Sequence, residues 1–184
     1  MGSPGLQFQT SRLHLRPFAA ADLSLVASIL RNPRVAFWRK KRIPLTEVRS
    51  GIKNSMLLNK WAMGWWLIFI QSTNELIGSA MLQPLKDTRD IEIGYHLLPA
   101  QWGKGYGSEA AQTIASHAFE TVGLSTLRAV VLPRNRPSLR IMEKLGFVPS
   151  GILFHAGLVH RSFKLTQEQY IKREWNQQNR MNTS

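Results

Sequence analysis

The segment Gln101-Trp102-Gly103-Lys104-Gly105-Tyr106-Gly107-Ser108-Glu109-Ala110 sets three glycines at alternate positions just before a run with helical apolar spacing. Glycine lets consecutive backbone N–H groups turn toward one point. A helix start adds the positive end of its dipole, so the segment suits an anion. A tight connection that binds nothing is the competing reading. The segment is not a P-loop, because Lys104 lies between glycines and no Gly-Lys-Ser/Thr follows. Its G-x-G-x-G spacing also differs from the G-x-G-x-x-G of dinucleotide sites. Just before it, on a regular strand, Glu92, Gly94 and His96 share one face and Ile91, Ile93 and Tyr95 the other. A carboxylate on a half-buried strand is costly unless used or paired, and Arg89 and Arg128 are candidate partners for Glu92. His96 carries a group that titrates near neutral pH. About thirty residues beyond the loop, Asn135-Arg136-Pro137-Ser138 opens another helix, where Asn135 can act as a cap.

The elements that position these residues follow from periodicity. Ser11 to Arg16 alternates and reads as a strand ended by Pro17. Asp22 can cap a helix carrying Leu23, Val26, Ile29 and Leu30, and Asn32-Pro33 stops it. Thr46 can cap a second helix reaching about Leu58. Trp65–Gln71, Leu76–Leu85 and Ile91–Leu98 read as an antiparallel meander. The glycine loop then leads into a helix over Ser108–Val122, a strand at Leu127–Leu132 and a helix over Pro137–Leu145 closed by Gly146. Gly151–His155 and Val159–Leu165 make a final hairpin. The expected fold class is α/β in the broad sense, an α+β mixed sheet, mostly antiparallel and flanked by helices. Residues 1–10 read as a flexible tail, 11–170 as one domain and 171–184 as a polar, frayed tail.

Composition narrows the chemistry. The 184 residues contain no cysteine, which excludes disulfides, thiolate metal sites and a cysteine nucleophile. His14, His96, His117, His155 and His160 show no metal-ligand spacing, so no metal is expected. The apolar run Trp65–Ile70 is far shorter than the roughly 20 residues of a membrane span. No signal-peptide pattern opens the chain, and a cytoplasmic protein is expected. Net charge is +13, and residues 1–60 hold 11 Lys/Arg against 2 Asp/Glu. Arg39-Lys40-Lys41-Arg42 is the densest run. The 31–60 region is therefore a candidate polyanion surface, or a solvated face that keeps the chain in solution.

The loop, together with Asn135-Arg136-Pro137-Ser138 and Met142-Glu143-Lys144-Leu145-Gly146-Phe147, resembles the GNAT superfamily of N-acetyltransferases. Ser11-Arg12-Leu13-His14-Leu15-Arg16-Pro17-Phe18, Asp22, Ile93-Gly94-Tyr95 and Trp102–Gly107 are similar to the Rim-type branch, whose members acetylate N-termini of ribosomal proteins. The resemblance runs from about residue 10 to 170. It implies the GNAT acyltransferase fold and acetyl-CoA as cosubstrate. It implies that Trp102, Gly103, Lys104, Gly105, Tyr106, Gly107 and Ser108 form the pyrophosphate loop. His96, Leu97 and Leu98 would run beside the pantetheine, and Asn135 would hold its amide or cap the helix. Trp102 stands where most of the superfamily has Arg or Gln. Met142 stands where many members have a tyrosine acid, and methionine cannot donate a proton.

Acetyl transfer to an amine needs a neutral amine, stabilisation of the thioester oxygen and protonation of the departing thiolate. A lysine-type amine has a pKa near 10.4, so a base is required. Glu92 is the candidate base, directly or through water, with His96 as the alternative. Ser138, at a helix start, is the candidate proton donor to the thiolate. Without cysteine or an evident Ser-His pair, direct transfer in a ternary complex is expected. The expected acceptor is a protein or peptide N-terminal α-amine, such as that of a ribosomal protein. The alternatives are a small amine (antibiotic, polyamine or amino acid) or a non-catalytic module binding CoA or nucleic acid. No membrane partner is expected. The final hairpin could pair two chains into a homodimer.

Overall fold

Leu13 and Leu15, two residues apart, are wholly buried, as the alternation around them requires. In the computed structural model, which describes residues 6–39, 41–155 and 157–182, they lie on β2, Leu13–Pro17. The first five residues of the expected N-terminal tail, Lys40 of the basic run and the last two residues of the expected C-terminal tail lie outside the described residues. β1 is Phe8–Gln9, β3 Gly64–Ile70, β4 Leu76–Pro84, β5 Ile91–Leu97, β6 Thr126–Val131, β7 Val148–His155 and β8 Leu158–Thr166. The helices are α1 Leu23–Leu30, α2 Leu45–Leu58, α3 Tyr106–Glu120, α4 Arg136–Lys144 and α5 Gln167–Asn182. The strands hydrogen-bond in the order β1-β2-β3-β4-β5-β6-β8-β7. β5 and β6 run parallel, with Glu92 opposite Arg128. The pairs β1–β2, β2–β3, β3–β4, β6–β8 and β7–β8 are antiparallel. The sheet is thus mixed and mostly antiparallel. Among the described residues no helix is long and apolar enough to cross a membrane.

The chain forms two compact units. The first runs to Gln83 and includes Ile93–Ile114. Here Phe18, Val26, Ile29, Val35, Val48, Ile52, Leu67 and Phe69 form one buried cluster. α2 is fixed to β3 by Ser55, whose hydroxyl accepts from the Trp65 N–H at 2.8 Å. Two expected caps are not what starts these helices. α2 begins at Leu45 after Pro44, so Thr46 is inside the helix. The Asp22 carboxylate instead accepts from the Ala19 N–H at 2.7 Å and holds Arg16 at 2.7 and 2.8 Å. Arg16 and the Ala19 N–H keep Asp22 ionised below the usual carboxylate range, against the opposing effect of its burial. Trp66 is buried and its Nε1 donates to the Leu6 carbonyl, whereas Trp61 is exposed.

The second unit comprises Pro84–Glu92 and the chain from Ala115. β6 buries Leu127, Ala129 and Val131 and leaves the alternate positions only half-buried. Gly146 has φ +83 and ends α4, as its position after a helical run predicts. Residues 171–182 continue a helix where a frayed tail is expected. Tyr170 anchors it: its ring stacks on Phe119 at 4.9 Å, and its hydroxyl donates to Glu120 at 2.5 Å and accepts from the Ser116 hydroxyl at 2.9 Å. β7, last in the strand order, exposes Ile152 and Phe154.

Candidate active site

The glycine loop is built as an open cradle. Gly103 and Gly105 have φ +78 and +84, the left-handed region that favours glycine. α3 begins at Tyr106, two residues earlier than the periodicity predicts, so Tyr106, Gly107 and Ser108 are its first turn. A helix start leaves its first N–H groups without intrahelical partners. Ser108 and Glu109 both donate to the Gly105 carbonyl at 3.1 Å. The Ser108 N–H is therefore already engaged, unlike the free donor expected of it. The five preceding N–H groups, Gly103 through Gly107, have no acceptor among the described residues. Five consecutive donors at a helix N-terminus are what an anion with several oxygens needs.

The sides of the loop are fixed by side chains of the same unit. Trp102 is half-exposed, its Nε1 donates to the Leu97 carbonyl at 2.8 Å, and the Arg34 guanidinium lies 5.2 Å from its ring centroid. The Lys104 ammonium donates to Gln101 at 2.8 Å, and Gln101 donates to Glu75 at 2.7 Å. The Lys104 charge is thus tied to Gln101. The Leu98 N–H donates to the Ile77 carbonyl at 2.8 Å. The Leu98 N–H and the Leu97 carbonyl are thus committed within the chain.

His96 lies between two tryptophans. Its ring is parallel to Trp65, 5.6 Å away at 6°, and 5.8 Å from Trp38. Its Nδ1 is buried and has no hydrogen-bond partner among the described residues. Burial pushes its pKa down to about 4, so the ring is neutral at physiological pH. That makes it a poor proton acceptor for an ammonium. The predicted two-faced pattern of β5 does not hold at Glu92 and Ile93, which are adjacent and both buried. A central strand covered on both faces loses alternation.

Glu92, Asn135 and Ser138 belong to the second unit. Glu92 is 2% exposed, which keeps an ionisable group in a medium where proton transfer is sensitive to its neighbours. Arg128, opposite it in the register, directs its Nε to Asp90 at 3.0 Å and another nitrogen to Ser150 at 2.8 Å. Asn135 is the N-cap of α4: its side-chain oxygen accepts from the Ser138 N–H at 3.3 Å. That takes the carbonyl end of the amide and leaves its NH₂ donor for a ligand. Ser138 stands in the first turn of α4, half-buried, where the helix dipole favours negative charge. Met142 is core, 2% exposed. Among the described residues no group of three or more His, Asp or Glu side chains is placed to hold a metal ion.

Residues 12–148 match the acetyltransferase (GNAT) domain model, and the chain belongs to the GNAT acetyltransferase family. An uncharacterised N-acetyltransferase of Bacillus subtilis, YoaA, is 31% identical over 79% of this chain and 84% of its own. The ribosomal-protein-S5-alanine acetyltransferase of Vibrio fischeri has the same fold, with a TM-score of 0.73 at 19% identity, covering 90% of this chain and 98% of that one. A ribosomal L7/L12 α-N-protein acetyltransferase, RimL, solved with coenzyme A, gives a TM-score of 0.73 at 17% identity, covering 88% and 98%. The chain is therefore an acetyl-CoA-dependent N-acetyltransferase, and the five open N–H groups of its loop fit a pyrophosphate.

The sequence reading singled out the loop glycines but assigned nothing to Arg12 or Glu109, which form the loop's densest side-chain contacts. Arg12 stands in the N-terminal motif, so residue type gave a signal, but its partner lies 97 positions away. The tryptophan stack around His96 was missed for the same reason.

Proposed function

We propose that this enzyme acetylates the N-terminal α-amine of a protein or peptide, by direct attack of the amine on the thioester in a ternary complex. The observation that carries the donor half is the run of five N–H groups, Gly103 to Gly107, with no acceptor in the described chain. They hold the pyrophosphate, with Trp102 beside them, and the Leu97 N–H and the Asn135 amide serve the pantetheine. The acceptor half is supported by the fold shared with two enzymes named for ribosomal proteins. It is also supported by the excess of cations in residues 1–60, which disfavours a free polyamine and favours an amine on an acidic molecule.

In the proposed reaction Glu92 removes the amine proton, directly or through a water. The neutral amine attacks and the C–N bond forms; as the C–S bond breaks, the proton on Ser138 goes to the departing sulfur and the Ser138 oxygen takes up, directly or through water, the second proton that the acylated nitrogen sheds. The α4 dipole stabilises that sulfur while it is negative. With no cysteine in the chain, no acyl-thioenzyme forms.

The pH–rate profile of Glu92→Gln on a peptide acceptor tests this. The substitution keeps shape and removes the base. The loss of kcat should shrink as pH rises, because the amine then deprotonates unaided. Equal impairment at every pH would make Glu92 a positioning residue. Unchanged turnover would remove it from the site.

A further inference from the structure

Arg12 enters β2 and reaches the glycine loop with its whole side chain. Its Nε donates to Glu109 Oε2 at 2.7 Å, and one terminal nitrogen pairs with the same oxygen at 2.5 Å. The other terminal nitrogen donates to the Lys104 carbonyl at 3.0 Å. The guanidinium lies 4.8 Å from the Tyr106 ring centroid. A Cβ on Gly105 would stand 3.3 Å from the guanidinium. One residue, Arg12, therefore touches Lys104, Tyr106 and Glu109, and its guanidinium stands where a side chain at Gly105 would begin.

Glu109 explains why a cation is needed there. Its carboxylate sits in the first turn of α3, next to the five open N–H groups. Left alone it would oppose any anion bound on that turn. It is instead surrounded by donors: the Thr10 hydroxyl at 2.5 Å, the Arg12 backbone N–H at 3.3 Å and two guanidinium nitrogens. The Glu109 side chain is 16% exposed and that of Arg12 47%, so the acid faces in and the base faces solvent. Of the five guanidinium N–H donors three are used. Two remain on the exposed side.

We propose that Arg12 is a positioning residue for acetyl-CoA: it neutralises Glu109 and pins the Lys104 carbonyl away from the cradle, so that the Gly103–Gly107 N–H groups face a phosphate unopposed. This rests on the reading of the loop as the pyrophosphate site. Arg12 has no part in the proton transfers, so its effect falls on donor affinity and leaves the chemical step alone.

Calorimetry with acetyl-CoA and steady-state kinetics on the full chain test the idea. Arg12→Ala should weaken acetyl-CoA binding about tenfold or more, the scale of a lost charge-assisted contact. kcat at saturating acetyl-CoA should stay near wild type. The penalty should shrink with added salt, because it comes from an unscreened carboxylate. Arg12→Ala combined with Glu109→Gln should regain most of the affinity, since the opposing charge is gone. Arg12→Lys should fall between, restoring charge without the fork. Wild-type affinity in Arg12→Ala overturns the proposal. So does a double variant no better than the single one, or a fall in kcat equal to the fall in affinity. Gly105→Val separates this from the underlying reading. If that variant still binds acetyl-CoA, the loop assignment itself is wrong. If it does not bind while Arg12→Ala binds normally, only the role of Arg12 fails.

Discussion

Lowering the pH should destabilise the protein through His96 in a window that the structure defines. The ring is enclosed by Trp65 and Trp38, its Nδ1 is buried without a partner, and its pKa is pushed down to about 4. An unfolded histidine titrates near 6.5. Above that pH neither state binds the proton, and the neutral ring keeps its full contribution. Between 6.5 and about 4 the unfolded chain takes up a proton that the folded chain refuses, so stability falls as pH falls. The depression corresponds to at most about 3 kcal/mol by the bottom of the window. His96→Phe keeps an aromatic ring between the two tryptophans and removes the titration. Chemical denaturation of both proteins at a series of pH values from 7.5 to 4.5 reads the difference. The variant should match or exceed wild type at pH 7.5, because an unpartnered buried nitrogen is removed. Wild type should then lose stability relative to it on acidification. The other histidines are common to both proteins and cancel, and the Arg16–Asp22 pair is lost only below the Asp22 range. Parallel pH dependence in the two proteins would refute the reasoning.

Two further outcomes concern the site. Gly105→Val places a branched side chain at φ +84 beside Arg12, and it should abolish acetyl-CoA binding in calorimetry while the circular dichroism spectrum stays that of a folded protein. Ser138→Ala should lower kcat about 10- to 100-fold, the low end of general-acid effects, with acetyl-CoA affinity changing by no more than about tenfold. A Ser138→Ala enzyme as fast as wild type would mean that the thiolate leaves to solvent unaided.

Element order was legible because each boundary carries a local signal. Asn32-Pro33 closes α1, Gly146 closes α4, and the polar Lys86–Asp90 stretch separates β4 from β5. What was not legible depends on residues far apart in the chain. Asp22 looks like a cap until Arg16 is found at its carboxylate. Residues 171–182 look too polar to fold until Tyr170 stacks on Phe119 and donates to Glu120. The start of α3 moved to Tyr106 because the Gly105 carbonyl, in a glycine turn, accepts from both Ser108 and Glu109. In the candidate site, residue types mark the loop glycines, and Glu92 and Ser138 are proposed on the same ground. The pairing of Arg12 with Glu109 and the stacking of His96 are contacts between segments, which periodicity does not encode.

Thiol release from acetyl-CoA, followed across peptides with free N-termini, polyamines and aminoglycosides, tests the central claim most directly when the product is mapped by mass spectrometry. The account predicts release with a peptide, faster with an acidic one at low salt, and an acetyl group on the α-amine. It predicts little turnover of polyamines, which a chain of net charge +13 repels. Turnover of an aminoglycoside or polyamine with none for any peptide would contradict it.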